Sequence, residues 1–124
     1  MTTDVGALAE FAEDRICVIG VDGREIGIAR WNGAVYAMNN LCPHQRGPIC
    51  SGILSGRLTA GAPGRMELDA DSPILACPWH GWEFDLRTGE ALHDPQHRLR
   101  MFPVRMERGR ILVDLGMRSN AVLG

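Results

Sequence analysis

Apolar residues along the chain come in short runs separated by dense turn signals, the texture of a mainly β protein. Residues 16–21 form a β-branched run that leads into Asp22-Gly23, while residues 25–30 and 34–39 flank Trp31-Asn32-Gly33. Asp-Gly and Asn-Gly between such runs predict hairpins, because both residues accept the positive φ of a tight turn. Three successive antiparallel strands are expected here. The opening segment, residues 4–14, carries at most a helical turn. Beyond residue 40 the texture changes to Cys, Pro, His and Gly, and residues 51–73 read as irregular loop with at most a short hairpin. Pattern returns at residues 74–77 and 83–85, with a turn at Arg87-Thr88-Gly89. The last strands are expected at residues 99–107 and 111–115, joined through Arg108-Gly109. Neither a repeat nor a heptad pattern is present, and residues 117–124 read as a loosely held tail.

Length limits this pattern to one domain: 124 residues allow a modest core and one site. With 45% hydrophobic and 23% charged residues and a formal net charge of -2, the composition is that of an ordinary globular protein. No basic stripe follows a phosphate backbone, which argues against nucleic acid, and no apolar stretch approaches the roughly 20 residues that span a bilayer. The first residues lack a basic region followed by an apolar run, so a cytoplasmic protein with reduced thiols is expected.

Two short motifs carry candidate chemistry, Cys42-Pro43-His44 and Cys77-Pro78-Trp79-His80. Each supplies one thiolate and one imidazole, with a proline after the cysteine to stiffen the loop. Facing each other, two such loops can hold a metal site. Tetrahedral zinc takes two sulfurs and two nitrogens, and a zinc-stabilised binding module is the rival reading. Zinc fingers, however, pair Cys with Cys and His with His, whereas this chain pairs Cys with His twice. That arrangement suits a two-iron cluster in which both cysteines reach one iron and both histidines the other.

On these residues the sequence resembles the Rieske [2Fe-2S] ferredoxin family, through Cys42-Pro43-His44, Cys77-Pro78-Trp79-His80-Gly81-Trp82 and the following residues 83–90. The resemblance covers about residues 15–115. It implies an all-β Rieske fold: an antiparallel sandwich or barrel, with a small cluster-binding subdomain, about residues 40–85, whose two loops hold one [2Fe-2S] cluster at a tip. The implied ligands are Cys42, His44, Cys77 and His80, and the implied function is one-electron transfer from a reductase to a terminal oxygenase, with no substrate turned over by this chain. A small Rieske subunit of a larger reductase, such as a nitrite reductase, is the alternative. The interval between His44 and Cys77 is about twice that of short family members. Residues 55–73 are therefore assigned as an insertion, either a partner-recognition element or a tolerated loop, since closure entropy grows slowly with loop length.

Two ferric ions, two sulfides and two thiolates sum to zero charge, so reduction leaves a single negative charge and is easier than for a four-thiolate cluster. High-potential Rieske proteins add a disulfide between the loops and hydroxyls that bond to cluster sulfur. At the matching positions this chain has Gly47, Trp79, Trp82 and Phe84. A potential near the low end of the family range of about -150 to +300 mV is expected. The exposed imidazole edges of His44 and His80 are the expected electron exit, with Gln45, Arg46, Trp79 and Trp82 around it, the two tryptophans equally as a shield of the cluster from water. Cys17 reads as a small core residue, Cys50 as a spare thiol near the cluster, and His93 and His97 as surface residues.

Overall fold

The computed structural model describes residues 2–41, 48–60, 66–78, 82–94 and 96–116; of these, residues 51, 57–60 and 66–71 are described by their backbone. The strands in chain order are β1 (Thr2–Ala7), β2 (Arg15–Val21), β3 (Arg24–Trp31), β4 (Ala34–Asn39), β5 (Ile53–Ala60), β6 (Met66–Ala76), β7 (Glu83–Asp85), β8 (Met101–Phe102), β9 (Val104–Glu107) and β10 (Arg110–Asp114). They form three antiparallel sheets, ordered β1-β10-β9, β2-β3-β4-β8 and β5-β6-β7. The all-β expectation holds.

The hairpin turns are where the dipeptides place them. Asp22 and Gly23 have φ of 51° and 79°, Asn32 and Gly33 50° and 82°, and Arg108 and Gly109 53° and 75°. Paired positive φ values match the right-handed twist of the flanking strands. Strand β3 is buried on both faces: Ile26 and Ile28 point into one core, and Ala29 into the other. The first core joins them to Ala37, Phe102, Ile111 and Val113, between the central sheet and β1-β10-β9. The second joins Ala29 to Met38, Ile49, Cys50, Leu75, Cys77, Phe84 and Leu86, between the central sheet and β5-β6-β7. A strand covered on both sides reads as a continuous apolar run rather than an alternation.

Four local expectations need correction. The helical turn of the opening segment is present, as a 3-10 turn at Leu8–Glu10, but the residues before it form strand β1, which the sequence pattern does not predict. Its partner β10 is distant in sequence and its register shifts between Asp4 and Gly6, so no local pattern announces it. Residues 51–73 are largely ordered as a hairpin, with β5 and β6 paired from Ile53↔Ala76 to Ala60↔Met66 and a bulge between Gly56 and Arg57. Pro73 falls beside that bulge, the position a sheet allows proline. The strand expected over residues 99–107 is divided at Pro103, which has no N–H to donate. Cys17 is exposed rather than in the core, because β2 is an edge strand whose residues are at most half-buried. Residues 117–124 lie outside the described residues. No helix among the described residues is long and apolar enough to cross a membrane.

Candidate metal centre

The second motif begins where β6 ends. Cys77 follows Ala76 directly, is 4% exposed and is in no disulfide. Its N–H donates to the Trp82 carbonyl at 2.7 Å, closing the chain across residues 78–81 and returning it as β7. Strand β7 pairs with β6 through Ala76↔Glu83, Leu75↔Phe84 and Ile74↔Asp85. The turn after β7 is fixed by Asp85. Its carboxylate accepts the Arg87 N–H at 2.9 Å and the Arg87 guanidinium at 3.1 and 3.2 Å. Residues 83–90, which carry part of the family resemblance, thus form a braced support behind the motif.

The first motif lies between Leu41 and Pro48, and both of its stems are described. On the entering side, the Asn40 N–H donates to the Glu25 carbonyl at 3.1 Å, extending the β3–β4 ladder. On the leaving side, Pro48 precedes a 3-10 turn at Ile49–Ser51, closed by the Gly52 N–H donating to the Ile49 carbonyl at 3.0 Å. Gly52 lies so close to β6 that a methyl in place of its hydrogen would overlap the Ala76 carbonyl oxygen. This backbone-to-backbone approach sets the exit of the first motif beside the start of the second. Ile49, Cys50 and Cys77 share one core cluster, with Trp82 packed against it.

Of the four expected ligands, the structure places Cys77; Cys42, His44 and His80 lie outside the described residues, as do Gln45, Arg46, Gly47 and Trp79. Among the described residues, no group of three or more His, Cys, Asp or Glu side chains is placed to hold a metal ion. Cys50 is 5% exposed, and burial, aided by the Glu25 charge, pushes its thiol up to about 12. A thiol so disposed stays protonated and packs as a small apolar group. His93 and His97, expected at the surface, are there, with a further contact: both rings meet the Trp82 indole edge-on, at 4.3 and 5.0 Å between centroids. Asp94, 2.9 Å from His97 Nδ1, is held below the usual carboxylate range first by the Gln96 N–H and then by His97.

The donor chemistry fits an iron–sulfur cluster: a buried thiol in no disulfide at the end of β6, and two Cys/His segments whose described stems meet at Gly52 and Ala76. The chain belongs to the Rieske-like [2Fe-2S] domain family, whose model matches residues 2–114. Its cofactor is accordingly a [2Fe-2S] cluster. Among individual relatives, the ferredoxin component of the naphthalene 1,2-dioxygenase system of Pseudomonas aeruginosa is 32% identical over 113 residues, spanning 90% of this chain and 93% of that protein. The ferredoxin of carbazole 1,9a-dioxygenase from Nocardioides aromaticivorans superposes with a TM-score of 0.71 at 27% identity, over 91% of this chain and 96% of the other. A protein assigned as the small subunit of an NADH-dependent nitrite reductase from Mycobacterium tuberculosis shares the fold, with a TM-score of 0.73 at 23% identity.

Sequence reasoning missed Asn40, Gly27 and Gly52, the residues that seat the first motif. Gly27 alone interrupts the apolar run of β3, and Gly52 closely follows a cysteine. Neither signal reveals its contact, because both partners are far along the chain.

Proposed function

We propose that this chain is a one-electron carrier, with one [2Fe-2S] cluster held by Cys42, His44, Cys77 and His80, that receives an electron from a reductase and delivers it to a terminal oxygenase. The observation that carries the reading is the buried, unbridged Cys77 beside a braced turn, in a chain whose relatives of nearly equal length are ferredoxin components of dioxygenase systems. The cluster supplies a site that gains and loses one electron. The polypeptide binds it, limits its exposure to water and presents it to partners. No substrate is turned over by the chain itself, and the cytoplasm is the compartment that suits its free thiols.

The test mixes the purified protein with the reductase and oxygenase components of a naphthalene dioxygenase system under NADH. Catalytic oxidation of naphthalene that requires this chain, and is lost in H44A and H80A, supports the reading. Loss of the chain from solution into a tight complex with a nitrite reductase large subunit, with no transfer to the oxygenase, would replace it by the reductase-subunit reading.

A further inference from the structure

Asn40 is 6% exposed, and three hydrogen bonds converge on it. Its N–H donates to the Glu25 carbonyl at 3.1 Å, its Nδ2 donates to Glu25 Oε1 at 3.1 Å, and its Oδ1 accepts the Cys50 N–H at 2.8 Å. The first two bonds fix Asn40 to β3 by backbone and side chain together. The third ties Cys50, which follows the first motif, to Asn40, which precedes it. A buried primary amide is costly unless satisfied, so packing alone is a poor reason for asparagine at this place. Beside it, Cys50 fills the space that the missing side chain of Gly27 leaves on β3, so the far stem is located by shape as well as by hydrogen bonding.

We propose that Asn40, oriented by Glu25, is the positioning residue of the first ligand loop: one buried side chain pins both stems of residues 41–49 to a single point on the central sheet and so sets where Cys42 and His44 are presented. The inference rests on the ligand assignment proposed above. Glu25 acts through Asn40. Its carboxylate accepts from Nδ2, which leaves Oδ1 turned toward the Cys50 N–H; the opposite amide orientation would set Oδ1 against the carboxylate oxygen.

The test uses the full cluster-loaded chain and four variants: N40A, N40D, E25Q and the double variant N40D/E25Q. Three quantities are read: the rate of iron release to a chelator, the g-values of the reduced cluster by electron paramagnetic resonance, and hydrogen exchange of residues 48–52. N40A, which removes the buried bond from the Cys50 N–H together with the part-buried one to Glu25, is expected to release iron at least about tenfold faster, a factor that corresponds to ~1.4 kcal/mol. It should also shift the g-values and expose the Cys50 amide to exchange. E25Q, which keeps an oxygen acceptor, should stay within about twofold of the parent. N40D sets two carboxylates together and should release iron faster, whereas N40D/E25Q restores a donor–acceptor pair and should return toward the parent. This rescue keeps the test decisive even if N40A fails to fold. An N40A protein with unchanged release, g-values and exchange, or an N40D defect that E25Q leaves uncorrected, would overturn the inference. A parent protein without a Rieske signal would instead overturn the ligand assignment.

Discussion

Gly27 offers a quantitative test of how the cluster-bearing half of the molecule is seated on the central sheet. A methyl added at this residue would overlap Cys50 Sγ and lie 2.7 Å from Met38 Sδ, with Cys50 Cβ at an ordinary 3.5 Å. Met38 is fully buried and Cys50 nearly so, which leaves little room for either to retreat. Overpacking of this kind costs about 1–3 kcal/mol, here applied at the stem of the first ligand loop. C50A removes only the sulfur and costs about 1 kcal/mol by the loss of one buried group. In the double variant G27A/C50A, the new methyl occupies space the sulfur has left, and the flexible Met38 side chain absorbs the remainder. The two costs should therefore fall short of additive by about 1–2 kcal/mol. For a domain of this size, 1 kcal/mol moves the thermal midpoint by about 3–5 °C. Melting followed by circular dichroism at one fixed scan rate should place G27A about 3–15 °C below the parent and the double variant level with or above G27A. A double variant as unstable as the sum of the singles, or a neutral G27A, would refute the peg-in-cradle account.

Gly52 should be less forgiving, since its clash is with the Ala76 carbonyl of the backbone: G52A is expected to separate the two ligand segments and to purify with less than half the parent's iron, measured per chain. The two described thiols away from the motifs should differ in reactivity. With its thiol pushed up to about 12, Cys50 is thiolate in only about one molecule in ten thousand at pH 8, so iodoacetamide should label exposed Cys17 and spare Cys50 in the native protein, as read by peptide mass spectrometry. Asp4 is held below its ordinary 3.8 first by its hydrogen bonds with Arg110, which tie β1 to β10. A depressed carboxylate stabilises the fold above its unfolded value and loses that contribution as pH falls through the lower folded value, so the protection of β1 amides, taken relative to intrinsic exchange at each pH, should fall below pH 4 in the parent. The D4N variant should show the lower protection already at pH 7.

Local chemistry made most strands legible. The bounds of β4 and β7 coincide with the pattern at residues 34–39 and 83–85, because turn dipeptides or the motif flank them. Strand β1 escaped notice because its partner lies at the other end of the chain, and Gly6, at φ 136°, breaks its alternation. A short hairpin is legible within residues 51–73, but not the length of β5 and β6, because their Gly, Ser and Pro residues read as turns, although several of them sit in a bulged ladder. At the centre, the cysteine and histidine spacing carried the family. Asn40, Gly27 and Gly52 could not be read in the same way, since a polar anchor and a close approach are defined by a partner that sequence order does not reveal. Cys17 differs from its pattern for a related reason: its run looks buried, but the edge position of β2 decides its exposure.

The central claim is most directly tested by electron paramagnetic resonance of the dithionite-reduced protein, purified without oxygen, with iron, acid-labile sulfide and zinc measured on the same sample. A rhombic Rieske-type signal with about two irons and two sulfides per chain, lost in C42A and C77A, is the expected result. A silent sample with one stoichiometric zinc would contradict the account and make the site structural.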